Sequence, residues 1–87
     1  MTTESLIVYP SDFPIKIFGL NSPEFKSAVL AVVQRHAQDF DGEQIECRQS
    51  QADKYQSITC TVRATSRAQL DALYQELFDH PLVKMVL

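Results

Sequence analysis

His36, His80, Cys47 and Cys60 are the side chains of this 87-residue chain best suited to acid–base, nucleophilic or metal chemistry. The two thiols are far apart and form no Cys-x-x-Cys, and neither histidine has a second His or Cys at the spacing of a zinc or copper site. No metal is expected. No Ser/His/Asp grouping and no carboxylate pair can be assembled from the sequence either, so neither catalytic residues nor a cofactor are expected. His36 ends an apolar stripe in the last turn of a predicted helix, where a cation complements the helix dipole; packing or capping is favoured there over a ligand contact or a pH-sensitive role. His80, before Pro81, has the same explanation. Cys47 and Cys60 face inward on paired strands, which favours burial as small apolar residues over a redox switch.

Two groups remain as candidate binding residues. Gly19-Leu20-Asn21-Ser22 precede a helix start and offer an anion nest, although any helix start needs a cap; with His36 they make the candidate ligand set. Thr59, Thr61 and Arg63, next to Tyr55 and Ser57 on the outer face of one strand, form with Lys84 the candidate protein-interaction set. A solvated threonine face is also what an exposed strand prefers.

The elements that position these residues follow from periodicity. Phe13, Ile15 and Ile17 alternate with Pro14, Lys16 and Phe18 as a strand that Gly19 ends. Asn21-Ser22-Pro23-Glu24 then supplies a cap, a proline suited to the first helical position and an acid favoured by the dipole. Phe25, Val29, Val32, Val33 and His36 form one helical stripe, closed by Asp39 to Gly42. Ile45 and Cys47 alternate inward, as do Ile58, Cys60, Val62 and Ala64. So short a connection makes these two strands an antiparallel hairpin, and parity allows a loop of Gln51 to Lys54 or of Asp53 and Lys54. Ser66-Arg67-Ala68-Gln69 fits a reciprocal capping box before the stripe Leu70, Leu73, Tyr74 and Leu77. His80-Pro81 ends that helix, and Leu82 to Leu87 reads as a closing strand.

The predicted fold is α+β: a ferredoxin-like βαββαβ sandwich with a four-stranded antiparallel sheet in the order 4-1-3-2 and both helices on one face. Residues 1–87 form a single domain. Residues 1–12, with the apolar Leu6 to Tyr9 cut off by Pro10, form an N-terminal extension outside the repeating unit.

Composition bounds the function. Apolar residues are 45% and charged residues 22%, the balance of a globular domain. Eight Lys and Arg against eleven Asp and Glu give a charge of −3, the wrong sign for binding nucleic acid through its phosphates. Apolar runs such as Leu6 to Tyr9 are far short of the about 20 residues of a membrane span, so no membrane association and a cytoplasmic location are expected. The turn after the first strand holds neither the arginine of an acylphosphatase nor the thiols of a copper chaperone. The outer positions Ser57, Thr59 and Thr61 lack the aromatics of an RNA-recognition module.

The chain resembles the YbeD-like family of small bacterial proteins of unknown function. The resemblance runs from about Tyr9 to Leu87 and rests on Tyr9-Pro10 with Phe13-Pro14, Lys16 with Gly19, Val32-Val33-Gln34-Arg35-His36, Tyr55 with Ser57, Leu73-Tyr74-Gln75-Glu76-Leu77, and the ending Val83-Lys84-Met85-Val86-Leu87. It implies the ferredoxin-like fold, a kinship with ACT domains that bind amino acids and regulate enzymes, no established catalysis, and a suggested link to lipoate metabolism. The ACT ligand loop carries a glycine, then a proline and a second glycine; Gly19 and Pro23 match. Glu24 replaces the second glycine and puts a negative charge where a ligand carboxylate would meet bare N–H groups. The function expected is a non-catalytic ACT-like regulatory or ligand-binding module. Exposed edge strands and the apolar N-terminal segment favour a homodimer. The alternative is a protein-binding adaptor that uses the outer sheet face or an edge strand and has no small ligand.

Overall fold

A computed structural model describes residues 8–40, 42, 45–49 and 54–87. The elements run β1 (Ser11–Leu20), α1 (Pro23–His36), β2 (Ile45–Gln49), β3 (Tyr55–Ala64), α2 (Arg67–Asp79) and β4 (Val83–Val86). All pairings are antiparallel and the strand order is β2-β3-β1-β4, the expected arrangement counted from the other edge. β1 and β3 are the long central pair, in register from Ser11 opposite Ala64 to Leu20 opposite Tyr55.

Period-two alternation gives this sheet one apolar face. Ile15 and Ile17 of β1, Ile58, Cys60, Val62 and Ala64 of β3, and Val86 of β4 are buried on it. Helix α1 lies over β1 and β3, α2 lies over β3 and β4, and the helices touch each other. The stripe Phe25, Val29, Val32 and Val33 meets the stripe Leu70, Leu73 and Leu77 in the same core. Full burial of each such large aliphatic or aromatic side chain contributes about 1.5–3 kcal/mol. Ser22 Oγ accepts the Phe25 N–H (3.3 Å) and Ser66 Oγ accepts the Gln69 N–H (3.1 Å), so both helices start at the predicted caps.

Several boundaries and contacts differ from the expectation. β1 starts at Ser11, so Ser11 and Asp12 belong to the central strand rather than to an extension over residues 1–12; they pair with Ala64 and Arg63. Tyr9 also packs against the core, and residues 1–7 lie outside the described residues. Gly19 does not end the strand but stays in the ladder, opposite Gln56 on one side and Val83 on the other. Of the two hairpin registers, the one observed sets Cys47 opposite Ile58, which corresponds to the longer loop; residues 50–53 of that loop lie outside the described residues, as does residue 41 of the segment closing α1. The reciprocal arm of the second cap lands one residue early: Gln69 Oε1 accepts from the Thr65 N–H (2.6 Å), while its Nε2 donates to the His36 carbonyl of α1 (2.8 Å). The Gln69 side chain thus ties the two helices together.

Cys47 faces the helix side as parity requires, yet it is exposed, whereas Cys60 is buried. The reason is lateral position. β2 is an outermost strand and the helices pack mainly over the other three, so Cys47 finds no cover, whereas Ile45 is partly buried against the core. Burial, with a smaller contribution from Cys47, pushes the Cys60 thiol up to about 12. Below that pH Cys60 stays protonated and unreactive. Iodoacetamide at mildly alkaline pH is therefore expected to modify Cys47 alone in the native protein and both thiols in urea, as read by intact-mass and peptide mass spectrometry.

Gly19 is required sterically. A Cβ there would sit inside contact distance of the Phe25 ring and 2.5 Å from the Leu82 carbonyl oxygen, the latter a backbone atom that cannot swing aside. A Cβ on Gly42 would meet only Leu30 Cδ1, at 3.8 Å. Gly19→Ala is expected to lower stability by about 2–3 kcal/mol, an overpacking cost. Gly42→Ala should change it by less than about 0.5 kcal/mol. Urea unfolding midpoints of the two variants check the contrast.

Candidate functional site

The chain segment from Gly19 to Ser22 has most of its backbone donors in use. Gly19 and Leu20 belong to β1, the Asn21 N–H donates to the Lys54 carbonyl (3.0 Å), and Pro23 has no N–H. The Phe25 N–H is taken by Ser22, through both its carbonyl (3.2 Å) and its hydroxyl. A backbone nest for an anion is therefore not what this turn presents.

Beside the turn, between the first two turns of α1 and the start of β3, lies a groove of about 370 Å³ lined by Asn21, Ser22, Lys26, Ser27, Leu30 and Gln56. That is the low end of the range for small-molecule sites, about 300–1,000 Å³. Glu24 is exposed and does not line it. Gln56 precedes Ile58, Cys60, Val62 and Ala64 in the inward row of β3 and is the buried polar residue among those described, with 8% of its surface accessible. The buried side-chain polar atom without a partner among the described residues is the Tyr9 hydroxyl, not the Gln56 amide. Lys26 brings an ammonium group to the rim and has no ion-pair partner among the described residues. Two of the four predicted residues, Asn21 and Ser22, thus reach the groove, whereas Gly19 and Leu20 do not line it. Sequence reasoning passed over Lys26 and Gln56. The available signal was a Gln at the head of an otherwise apolar alternation.

His36 lies elsewhere, at the far end of α1, roughly 20 Å from Ser22 by the rise of the helix. Its Nε2–H donates to Glu76 Oε1 of α2 (2.7 Å), Arg35 pairs with the other oxygen of the same carboxylate, and the His36 carbonyl accepts from Gln69. It is part of an interhelical clasp and does not meet the other candidate ligand residues. His80 caps α2 through its N–H to the Leu77 carbonyl (3.2 Å), and its Nδ1 accepts from the Leu82 N–H (3.1 Å). Among the described residues no three His, Cys, Asp or Glu side chains come together as a metal site.

Thr59, Thr61 and Arg63 share the outer face of β3, where Arg63 approaches Asp12 of β1 at 4.0 Å. Lys84 is set apart on edge strand β4, at the bulge where the register with β1 shifts between Met85 and Val83. Register also gathers apolar groups at one end of the outer face. Met85 stands opposite Phe18, Leu20 opposite Tyr55, and Leu87 exchanges backbone hydrogen bonds with Lys16, whose Nζ lies 5.9 Å from the Phe18 ring centroid. Leu20, Tyr55 and Met85 are each nearly half exposed and Leu87 more so. Each of these side chains is unremarkable alone in the sequence; only the register makes them neighbours.

The model of the family described as "Protein of unknown function (DUF493)" matches residues 4–87. A UPF0250 protein of Nitrosomonas europaea is 55% identical over 87 residues, all of both chains. One from Janthinobacterium is 55% identical across 98% of this chain and 93% of its own, and one from Bordetella parapertussis 51% identical across 97% and 92%. The solution structure of protein HP0495 from H. pylori matches with a TM-score of 0.69, covering 100% of this chain and 94% of that one, at 17% identity, and so corroborates the fold alone. With the family model spanning nearly every residue and half of the sequence shared with UPF0250 proteins, the chain belongs to the DUF493 family of proteins of unknown function, the YbeD-like family its motifs resemble.

Proposed function

We propose that this protein is a non-catalytic, ACT-like regulatory module of the cytoplasm that takes a small effector in the groove at the start of α1. The observation that supports this reading is the groove of about 370 Å³ beside the start of α1, with Lys26 and Gln56 in its lining. A regulatory domain needs a ligand-dependent change in stability or association rather than a reacting group, and the described side chains offer polar contacts there but no paired acid and base. Association would run through an edge. Four of the five β2 residues are exposed, and among the described residues no strand pairs with its outer edge, where a second copy could add in a homodimer.

A thermal-shift screen of amino acids and lipoate-related compounds tests the effector. A ligand at a hundredfold excess over Kd adds about 2.7 kcal/mol, a rise on the order of ten degrees in Tm for a domain of this size. A flat screen would remove support for a small effector among those compounds. The second reading, a protein-binding adaptor, is favoured by the exposed cluster of Leu20, Tyr55, Met85 and Leu87 on the outer sheet face. If it holds, Met85→Glu should weaken partner capture in a pull-down at least tenfold, with Arg63→Glu and Lys84→Glu marking the edges of the footprint; capture unchanged in all three variants would exclude this face.

A further inference from the structure

The two edges of the sheet are built differently. At β4 the ladder with β1 is broken by a register shift between Phe18 and Gly19, and Lys84 stands beside it. A bulge and a lysine both turn a strand edge away from further pairing. β2, by contrast, runs in unbroken register with β3 from Ile45 opposite Cys60 to Gln49 opposite Gln56, and it holds no proline or glycine. The direction of its backbone groups follows from the neighbouring ladders. Lys16 exchanges hydrogen bonds with Leu87 on the β4 side, so its β3 partner Thr59 turns its N–H and C=O toward β2. Bonding alternates along an antiparallel ladder, so Glu46 and Arg48 bond to β3 while Ile45, Cys47 and Gln49 aim their N–H and C=O groups at the outer edge. Among the described residues no strand meets them there, and the helices lie mainly over the other three strands.

We propose that β2 pairs antiparallel with β2 of a second copy of this chain about a two-fold axis at Cys47, so that two sheets become one. This rests on the reading that the protein associates through an edge, and adds the register and the residues that set it. The charge pattern selects that register. Centred on Cys47, all five strand residues find a partner: Cys47 meets its own counterpart, Ile45 meets Gln49 of the second copy, and on the outer face Glu46 meets Arg48 of the second copy. Glu46 and Arg48 are already in contact within one chain, at 2.7 Å, so pairing sets each carboxylate between two guanidinium groups. A centre at Glu46 or at Arg48 keeps the same backbone parity but places two carboxylates or two guanidinium groups directly opposite, which is destabilising. Exposed ion pairs are individually weak, so they choose the register more than they hold the dimer. A ladder this short makes the dimer weak and concentration-dependent. The two-fold axis keeps both helix layers on one side of the joined sheet, and the two Cys47 thiols face each other where no helix covers them.

Sedimentation velocity of the full chain over a wide concentration range reads the association, and mild oxidation with copper phenanthroline reads the register. The Cα atoms of a hydrogen-bonded antiparallel pair lie about 5.5 Å apart, inside the roughly 4.4–6.8 Å that a disulfide spans. The wild-type chain is expected to dimerise reversibly and, on oxidation, to form a disulfide between the Cys47 residues of two copies, identified by peptide mass spectrometry without reductant. Glu46→Arg and Arg48→Glu each set like charges opposite one another, and each should weaken dimerisation at least about tenfold and reduce the cross-link to match. The double variant Glu46→Arg/Arg48→Glu brings opposite charges face to face again and should recover both. Both side chains are exposed, so all three variants should keep the wild-type circular dichroism spectrum and unfolding midpoint at low concentration. Dimerisation unchanged in the single variants, no recovery in the double variant, or a dimer without the Cys47 cross-link would overturn this pairing while leaving association in place. A chain that stays monomeric at every concentration would overturn both.

Discussion

The ring of Phe25 rests on the bare backbone of Gly19, and this contact fixes how the first helix meets the sheet. Phe25 is completely buried, and the space it fills exists because the strand residue beneath it has no side chain. Anchored there, α1 starts hard against the end of β1, with Ser22 closing its first turn. Gln56, the ladder partner of Gly19, lies just beside the anchor, and Lys26 and Leu30 on the flank of the helix lean over it. The groove is therefore a by-product of the same packing that locks the layers together.

At the opposite end the helices are joined by polar contacts. Glu76 receives both Arg35 and His36, and Gln69 spans from the Thr65 N–H to the His36 carbonyl. These groups are partly exposed, and ion pairs of that kind are worth little individually. Their value is geometric, since they set the splay of two helices whose adhesion comes from Val29, Val33, Leu73 and Leu77. Side chains fill the space between the helices and the three strands they cover, so the exposed surfaces are the rim of the layers, the outer sheet face and the strand edges.

Those peripheral surfaces differ in kind. The groove is mainly apolar with polar groups along it, whereas the outer face pairs a threonine row with an apolar end formed by Phe18, Met85, Leu20 and Tyr55. The edge strand β2 presents Cys47 and a close Arg48–Glu46 contact of 2.7 Å. Charged side chains on an edge oppose indiscriminate strand pairing.

The sequence by itself determined the six elements, their order and which residues of each face inward, because helix caps and the periods of two and 3.6 residues are local properties. Ser22 and Ser66 as caps, the Phe25 and Leu70 stripes and the Ile58 to Ala64 alternation were all legible in this way, as was the strand order once handedness was applied. Only the tertiary structure decided that Cys47 is exposed although it points inward, that Gly19 lies under Phe25 instead of ending a strand, and that Gln56 and Lys26 share one groove while His36 joins Glu76. Each of these depends on how far a helix reaches across the sheet and on which residues distant in the chain become neighbours. Periodicity assigns a side chain to a face, but its cover and its partners come from elements that a local pattern does not contain.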